Sequence, residues 1–302
     1  MIERAVAILR AGGLVAFPTE TVYGLGADAS NPDALERLFA VKGRPSNHPV
    51  IVHAARATQL DELGRNVPDV ARELGAAFWP GPLTLVVARR EERVAREATG
   101  GRDTVGIRVP DHPIALALLD AFGGGIAAPS ANRFGRVSPT TADHVRADLG
   151  DDVDLVIDGG PCAVGVESTI VDVTGIEPAV LRVGGVSGAR LAEIVGAPLA
   201  RRTAGEVAAP GTLASHYSPR ARVELVEGVG LAERAEQLRA QGVAVGVIEA
   251  PADVTEYARV LYSRLRELDE CGVDVILAAP PADTEDLGAA VADRLRRAAA
   301  AR

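Results

Sequence analysis

Residues 2–26 read IERAVAILRAGGLVAFPTETVYGLG. This stretch introduces the alternation of helical patterns and apolar runs that continues along the chain. Charged residues interrupt its first apolar positions, which predicts a helix over Ile2–Ala11. The apolar run Leu14–Pro18 is typical of a buried strand. Residues 19–26 follow with threonines, one glutamate and two glycines, which can bring backbone amides and hydroxyls close to a small polar ligand. A plain joint between a strand and a helix is the alternative.

The same alternation continues to about residue 200. Further strands are predicted at Val50–His53, Leu83–Ala88, Gly106–Val109, Ile126–Ala128, Leu155–Asp158, Ser168–Val173 and Ala179–Arg182. Further helices are predicted at Pro32–Val41, Ala57–Leu63, Val67–Phe78, Pro113–Phe122 and Thr141–Leu149, with one more after Ser187. This mixture predicts a large α/β domain in which helices pack on a twisted sheet.

The last third of the chain has a different organisation. Residues 201–222 are rich in Pro, Gly, Ser and Thr and lack any period, which predicts a linker, although His216 and Tyr217 are unusual in a plain tether. Strands are then predicted at Val223–Val226, Val243–Ile248 and Val273–Ala278, and helices at Leu231–Gln241, Thr255–Glu270 and Thr284–Ala300. These elements form a small parallel α/β unit of Rossmann-like pattern, without a GxGxxG loop. We therefore expect domains at 1–200 and 223–302, joined by a linker at 201–222.

Composition argues against several classes of protein. The net charge is −9, whereas a protein that grips a nucleic-acid backbone usually carries a basic face, so stable nucleic-acid binding is not expected. No apolar stretch could span a bilayer, and the start lacks the unbroken apolar region of a signal peptide. The two cysteines, Cys162 and Cys271, have no paired spacing, which excludes a CxxC zinc site. A cytoplasmic protein is expected.

Basic residues gather in the segment VKGRPSNHP, residues 41–49. Lys42 and Arg44 flank a glycine at the predicted end of a helix. Two such cations can hold a polyphosphate and neutralise a leaving pyrophosphate, and they can equally complement the dipole of a helix end. Lys42 is the only lysine in the chain, which favours the functional interpretation. His53 ends the next strand, a position where histidine is more often structural.

Three later segments add polar groups at strand ends. Thr104, Gly106 and Arg108 share one strand face, because side chains alternate, and the planar guanidinium of Arg108 suits a carboxylate or a phosphate. An exposed arginine on a sheet face is the alternative. Residues 127–132 and 138–141 supply Ser, Asn and Thr groups that can bind a nucleotide without charge, and the second also suits a helix cap. The segment GVESTIVD, residues 165–172, by itself indicates little.

Together, the segments PTETVYGLG, KGRP, GIRVP, APSAN, SPT and GVESTIVD resemble the YrdC-type family of L-threonylcarbamoyladenylate synthases. Their order and spacing agree over most of residues 1–200, and the linker with the small α/β unit resembles the two-domain form. The resemblance implies an open, twisted, mixed α/β sheet with a positively lined cavity. It implies a nucleotidyltransferase that converts L-threonine, bicarbonate and ATP, with Mg²⁺, into threonylcarbamoyl-AMP and pyrophosphate. Other proteins would then transfer the threonylcarbamoyl group to tRNA.

The resemblance also implies the site. Threonine contacts fall to Thr21, His53, Arg108 and Ser168. ATP contacts fall to Arg44, His48, Thr104, Ser130, Ser138, Arg182 and the linker residue Tyr217, and Lys42 and Arg44 carry the catalytic roles at the phosphates. His48 departs from the family, which often has Asn there. No protein ligand for a metal is implied, since Mg²⁺ accompanies ATP.

Two other functions compete with this interpretation. A related enzyme of hydrogenase maturation would add an acylphosphatase domain and zinc-type cysteine motifs, and this sequence has neither. A non-catalytic module that binds double-stranded RNA would need a basic surface and a steep salt dependence of binding. The net charge of −9 argues against that module.

Overall fold

The computed structural model describes residues 1–202, 217–227, 230–283 and 285–300. Most of the predicted linker, including His216, lies outside the described residues, as does Thr284. The described α-helices are α1 (Ile2–Arg10), α2 (Pro32–Lys42), α3 (Gln59–Leu63), α4 (Asp69–Phe78), α5 (Pro113–Phe122), α6 (Ala142–Leu149), α7 (Gly188–Val195), α8 (Leu231–Ala240), α9 (Val254–Glu270) and α10 (Asp286–Ala299). Short 3₁₀ turns cover Arg96–Thr99 and Gly150–Asp152.

Strands alternate with these helices along the chain. They are β1 (Val15–Phe17), β2 (Gly24–Asp28), β3 (Ile51–His53), β4 (Gly64–Arg65), β5 (Leu83–Arg89), β6 (Thr104–Arg108), β7 (Ile126–Ala127), β8 (Leu155–Val156), β9 (Thr169–Asp172), β10 (Ala179–Arg182), β11 (Ala200–Arg201), β12 (Arg222–Leu225), β13 (Val245–Ile248) and β14 (Val275–Ala278).

Strands β1 to β11 form one mixed sheet. Its order is β11-β10-β9-β5-β6-β3-β7-β2-β1-β8, with β4 paired to β5, and the end strands β11 and β8 do not meet. Parallel pairs such as β3–β6 and β5–β9 stand beside antiparallel pairs such as β5–β6. The predicted open, mixed α/β sheet is therefore confirmed.

A second sheet has the order β12-β14-β13, and both of its pairings are parallel. With α8, α9 and α10 it forms what we call the C-terminal unit, residues 222–300, as predicted for a small parallel α/β fold. Strand β11 already ends at Arg201 and β12 begins at Arg222, so the predicted linker touches a strand at each end. The domain limits of 1–200, 201–222 and 223–302 stay predictions.

The region after Pro18 is not a plain joint between a strand and a helix, the alternative considered from the sequence. The chain turns back and forms β2, which pairs antiparallel with β1, Phe17 facing Gly24. A Cβ atom on Gly26 would lie 2.9 Å from both Phe17 and Ile126, so glycine is required where the sheet face is crowded. Those glycines concealed the strand in the sequence, because they are poor strand formers.

The hydrophobic core connects the two sheets. One buried cluster combines Val22, Val137 and Val166 of the first 202 residues with Tyr257 and Leu261 of α9. The C-terminal unit therefore packs against the loops that follow β1, β7 and β8. Among the described residues, no helix has the length and apolarity that a membrane span needs.

Candidate active site

A cavity opens where strands β1, β3, β6, β9 and β10 end or begin. Its polar lining side chains include Thr19, Thr21, Arg44, His53, Arg108, Ser130, Glu167, Ser168, Arg182 and Tyr217. Eight of the residues assigned by resemblance are thus brought together from segments up to about 200 residues apart: Thr21, Arg44, His53, Arg108, Ser130, Ser168, Arg182 and Tyr217.

Arg108 and His53 form one wall of this cavity. They end neighbouring parallel strands and face each other in register. Arg108 is 4% exposed, its Nη2 lies 2.7 Å from Glu20 Oε1, and its Nε donates to the Gly81 carbonyl at 3.3 Å. Burial, with the nearby Arg108 cation, lowers the pKa of His53 to about 3, so the imidazole is neutral at physiological pH. This wall offers one guanidinium and one neutral ring.

Glu20 was not predicted as a site residue. Apart from its ion pair with Arg108, neither of its buried carboxylate oxygens has a hydrogen-bond partner in the described part of the chain. Its neighbours in sequence are the hydroxyls of Thr19 and Thr21, whose oxygens lie 2.9 Å apart. A carboxylate inside a run of small and apolar residues is the sequence signal that could have found it, since such a charge is rarely buried without a partner.

Arg44 and Arg182 supply further positive charge to the cavity lining. Gly43 ends α2 in a left-handed conformation, φ 63°, and the Arg44 amide then donates back to Phe39 at 3.0 Å. The Arg44 guanidinium donates to the Pro49 carbonyl at 2.8 Å and lies over the Phe134 ring. Burial lowers its pKa to about 10, so it stays charged. The KGRP segment is thus both a helix cap and a source of site charge.

Arg182 ends β10 and is fixed by Ser168. Its Nη2 donates to the Ser168 carbonyl at 2.9 Å and to the Ser168 hydroxyl at 3.1 Å. Burial lowers its pKa. The Ser168 hydroxyl also lies 2.8 Å from that of Thr84. Ser168 therefore links Arg182 to Thr84 of strand β5.

Lys42 lies behind the cavity wall instead of facing it. Lys42 is 2% exposed, and its ammonium group donates to the carbonyls of Ser130 and Asn132 at 2.5 Å each. Burial, with Arg44 nearby, lowers its pKa well below the usual value. This geometry fixes the turn that carries Ser130, and the contact of Lys42 with phosphates remains a prediction.

Three other predicted contacts also stand outside the cavity lining. The His48 ring packs against Phe134, with ring centroids 5.6 Å apart. Thr104 begins β6 opposite Ala88. The Ser138 hydroxyl donates to Glu167 Oε1 at 2.7 Å. Their roles in ATP binding stay predictions.

Two family models match the chain. The Sua5/YciO/YrdC model, described as "Telomere recombination", matches residues 7–184. The model described as "Threonylcarbamoyl-AMP synthase, C-terminal domain" matches residues 180–300. The chain belongs to the Sua5/YrdC family. The resemblance inferred from the six motifs is confirmed, and so is the two-part form.

Similar proteins of this family match the chain along its length. The threonylcarbamoyl-AMP synthase of Pyrococcus abyssi is 42% identical over 98% of this chain and 93% of its own. That of Bacillus subtilis is 39% identical over 100% of this chain and 93% of its own. The crystal structure of P. abyssi Sua5 complexed with L-threonine has a TM-score of 0.93 and covers 99% of this chain and 94% of that one. Both units therefore share the fold of the family.

Proposed function

We propose that the protein is an L-threonylcarbamoyladenylate synthase, which converts L-threonine, bicarbonate and ATP into threonylcarbamoyl-AMP and pyrophosphate for tRNA modification. One observation carries this proposal: a single cavity is lined by the Arg108 guanidinium, by neutral hydroxyls and by the buried cations Arg44 and Arg182. The enzyme names of full-length relatives support it over an RNA-binding module.

The side of the cavity with Arg108 suits an amino acid. A guanidinium can hold a carboxylate with two parallel hydrogen bonds, and Thr21 and Ser168 present hydroxyls to the same space. His53 stays neutral, so it can exchange hydrogen bonds there without adding a second positive charge. We assign L-threonine to this side, and P. abyssi Sua5 has been crystallised with that amino acid.

The part of the cavity lined by Arg44 and Arg182 suits the phosphates of ATP. The carbamate of threonine is already an anion, so its attack on the α-phosphorus needs alignment more than a strong base. Alignment of bound reactants contributes roughly 7–11 kcal/mol to such reactions. As the bond to pyrophosphate breaks, Arg44 and Arg182 are placed to neutralise the charge of the leaving group.

Magnesium is proposed to arrive with ATP as part of the substrate. Within the described residues, no group of three or more His, Cys, Asp or Glu side chains could hold a metal ion. The lining carboxylate Glu167 already accepts hydrogen bonds from Ser138, Tyr262 and Arg294. A Mg²⁺ bound to phosphate oxygens would fit this arrangement, because Mg²⁺ in phosphoryl-transfer sites is commonly held by substrate phosphates.

Tyr217 is proposed to contact the nucleotide. The cavity leaves about 50 Å³ for a ligand, against roughly 300–1,000 Å³ in typical ligand pockets. The Tyr217 side chain lines this space and is 1% exposed. Binding of ATP therefore requires other parts of the lining to move, while the Tyr217 ring stacks near the adenylate and shields it from water.

The cellular setting is proposed from the chemistry. Threonylcarbamoyl-AMP is labile, so it should pass quickly to proteins that transfer the threonylcarbamoyl group to tRNA. Both cysteines are free thiols in the structure, Cys162 buried and Cys271 exposed, which agrees with the proposed cytoplasmic location.

Isotope labelling tests the proposed function. The purified protein is incubated with ATP, Mg²⁺, L-threonine and ¹³C-bicarbonate, and the nucleotide products are separated and weighed by mass spectrometry. The expected product contains AMP, threonine and one ¹³C atom. A nucleotide product that carries threonine but never the label would contradict carbamate activation.

A further inference from the structure

The C-terminal unit reaches the cavity through one arginine. Arg294 of α10 is fully buried, and its Nε donates to Glu167 Oε2 at 2.8 Å. Its Nη2 donates to the Val183 carbonyl at 2.9 Å, and its Nη1 pairs with Asp293 at 2.7 Å. Glu167 and Val183 both belong to the first 202 residues. A charge of the C-terminal unit thus binds Glu167, a residue that lines the cavity.

A tyrosine of α9 binds the same carboxylate. The Tyr262 hydroxyl donates to Glu167 Oε2 at 2.8 Å. Its ring stacks on Tyr217, with centroids 5.5 Å apart and planes 24° apart. The Arg294 guanidinium carbon lies 5.3 Å from the centroid of the Tyr217 ring. Tyr217 has φ 63°, a conformation rare for residues other than glycine, so its surroundings must hold it in place.

Glu167 links Arg294 and Tyr262 to Ser138, a residue predicted to bind ATP. Its second oxygen, Oε1, accepts the Ser138 hydroxyl at 2.7 Å. Burial opposes its charge, but Arg294, Arg182 and these hydrogen bonds keep the pKa of Glu167 down at about 2. The carboxylate is therefore ionised at physiological pH, and each of its oxygens has a fixed donor.

We propose that Arg294 and Tyr262 are positioning residues, through which the C-terminal unit holds Glu167 and Tyr217 in the geometry that binds ATP. This inference rests on the proposed function and assigns the C-terminal unit a role in ATP binding. A role in stability alone explains the arrangement less well, because a buried ion pair can often be replaced by apolar residues of similar size without loss of stability.

The decisive variant removes both charges together. The double substitution Arg294→Met with Glu167→Gln keeps similar side-chain lengths and the net charge of the site. Asp293 keeps its ion pair with Arg297 at 2.9 Å, and Arg182 keeps its hydrogen bonds to Ser168. We expect it to melt within a few degrees of the wild type. Its KM for ATP should rise at least tenfold, while its KM for threonine changes less than threefold.

Two further variants make the test specific. Tyr262→Phe loses a single hydroxyl and keeps the ring against Tyr217, so its KM for ATP should rise by a smaller factor, about threefold. Arg264→Met is the matched control on α9, since Arg264 is 62% exposed and pairs with Glu267 at the surface. The control should match the wild type in both KM values.

The readouts separate this proposal from the proposed function. Dissociation constants for ATP, measured by calorimetry, test the positioning role even if the wild-type protein forms no threonylcarbamoyl-AMP. An unchanged affinity for ATP in both the double variant and Tyr262→Phe would overturn the proposal. A parallel loss of melting temperature, ATP binding and threonine binding in both variants would also overturn it, because that pattern indicates a structural role alone.

Discussion

Replacement of Arg108 by lysine should weaken threonine binding far more than ATP binding. Arg108 is buried, holds Glu20 at 2.7 Å through Nη2, and is anchored to the Gly81 carbonyl through Nε at 3.3 Å. A lysine carries one ammonium on a flexible stem, so it can keep the Glu20 contact or reach a substrate carboxylate with one bond. It cannot form the two-pronged contact while remaining anchored.

The expected size follows from the contacts that are lost. A hydrogen bond to a charged group contributes about 1.5–3 kcal/mol, and each 1.36 kcal/mol is a factor of ten in affinity. Loss of one such bond should therefore raise the KM for threonine by roughly 10- to 150-fold. The KM for ATP should change by less than about threefold, because Arg44 and Arg182 are untouched.

Pyrophosphate release gives the assay, with threonine varied at saturating ATP and bicarbonate. Arg72→Lys serves as the control, since Arg72 lies on α4, is 46% exposed and pairs with Asp61 at 2.8 Å. Equal melting temperatures would show that both variants fold. A normal KM for threonine in Arg108→Lys would show that Arg108 does not hold the threonine carboxylate.

Three other perturbations test the remaining parts of the site. Arg44→Ala should lower kcat/KM for ATP at least tenfold with little change in melting temperature. Lys42→Ala should lower kcat/KM for ATP and also the melting temperature, because Lys42 fixes the Ser130 turn. Wild-type kinetics in the two variants would contradict the assignment of these residues to the phosphates. Folding lowers the pKa of His53 from 6.5 to about 3, so between these pH values the imidazole is protonated in the unfolded state only. The free energy of unfolding therefore falls as the pH drops from 6.5 toward 3. Between pH 7.5 and pH 5 this loss should reach about 2 kcal/mol, and denaturant titrations should find it missing in His53→Gln; an identical pH dependence in both proteins would show that the imidazole is not buried as described. Tyr217→Ala should enlarge the cavity and raise the dissociation constant of ATP, and calorimetry that finds wild-type affinity would reduce the ring to a packing role.

Most elements of the fold could be predicted because their signals are local. Asn31 caps α2, Ser187 caps α7, and β5 and β10 are mostly apolar, so each element can be recognised from a few neighbouring residues. Strand β2 could not be found in this way. Its sequence GLGAD has small residues because Phe17 and Ile126 crowd the sheet, and that reason lies in distant parts of the chain.

The site residues also divide into those with a local sequence signal and those without one. Thr21, Arg108 and Ser168 belong to motifs that resemble a known family, and the structure gathers them in one cavity. The partners of Glu167 could not be predicted, because Tyr262 and Arg294 lie 95 and 127 residues away in a different unit. Nothing in the local sequence of α9 or α10 distinguishes these two residues from others that face a hydrophobic core.

Substrate dependence of pyrophosphate release tests directly whether the protein activates the carbamate of threonine. The protein is incubated with ATP and Mg²⁺, and pyrophosphate is followed with threonine and bicarbonate together, with each alone, and with neither. The proposed reaction predicts rapid release with both substrates and only background release in the other three mixtures, because carbamate must form on threonine before it can attack ATP. Equal release in the mixture that lacks threonine would contradict it.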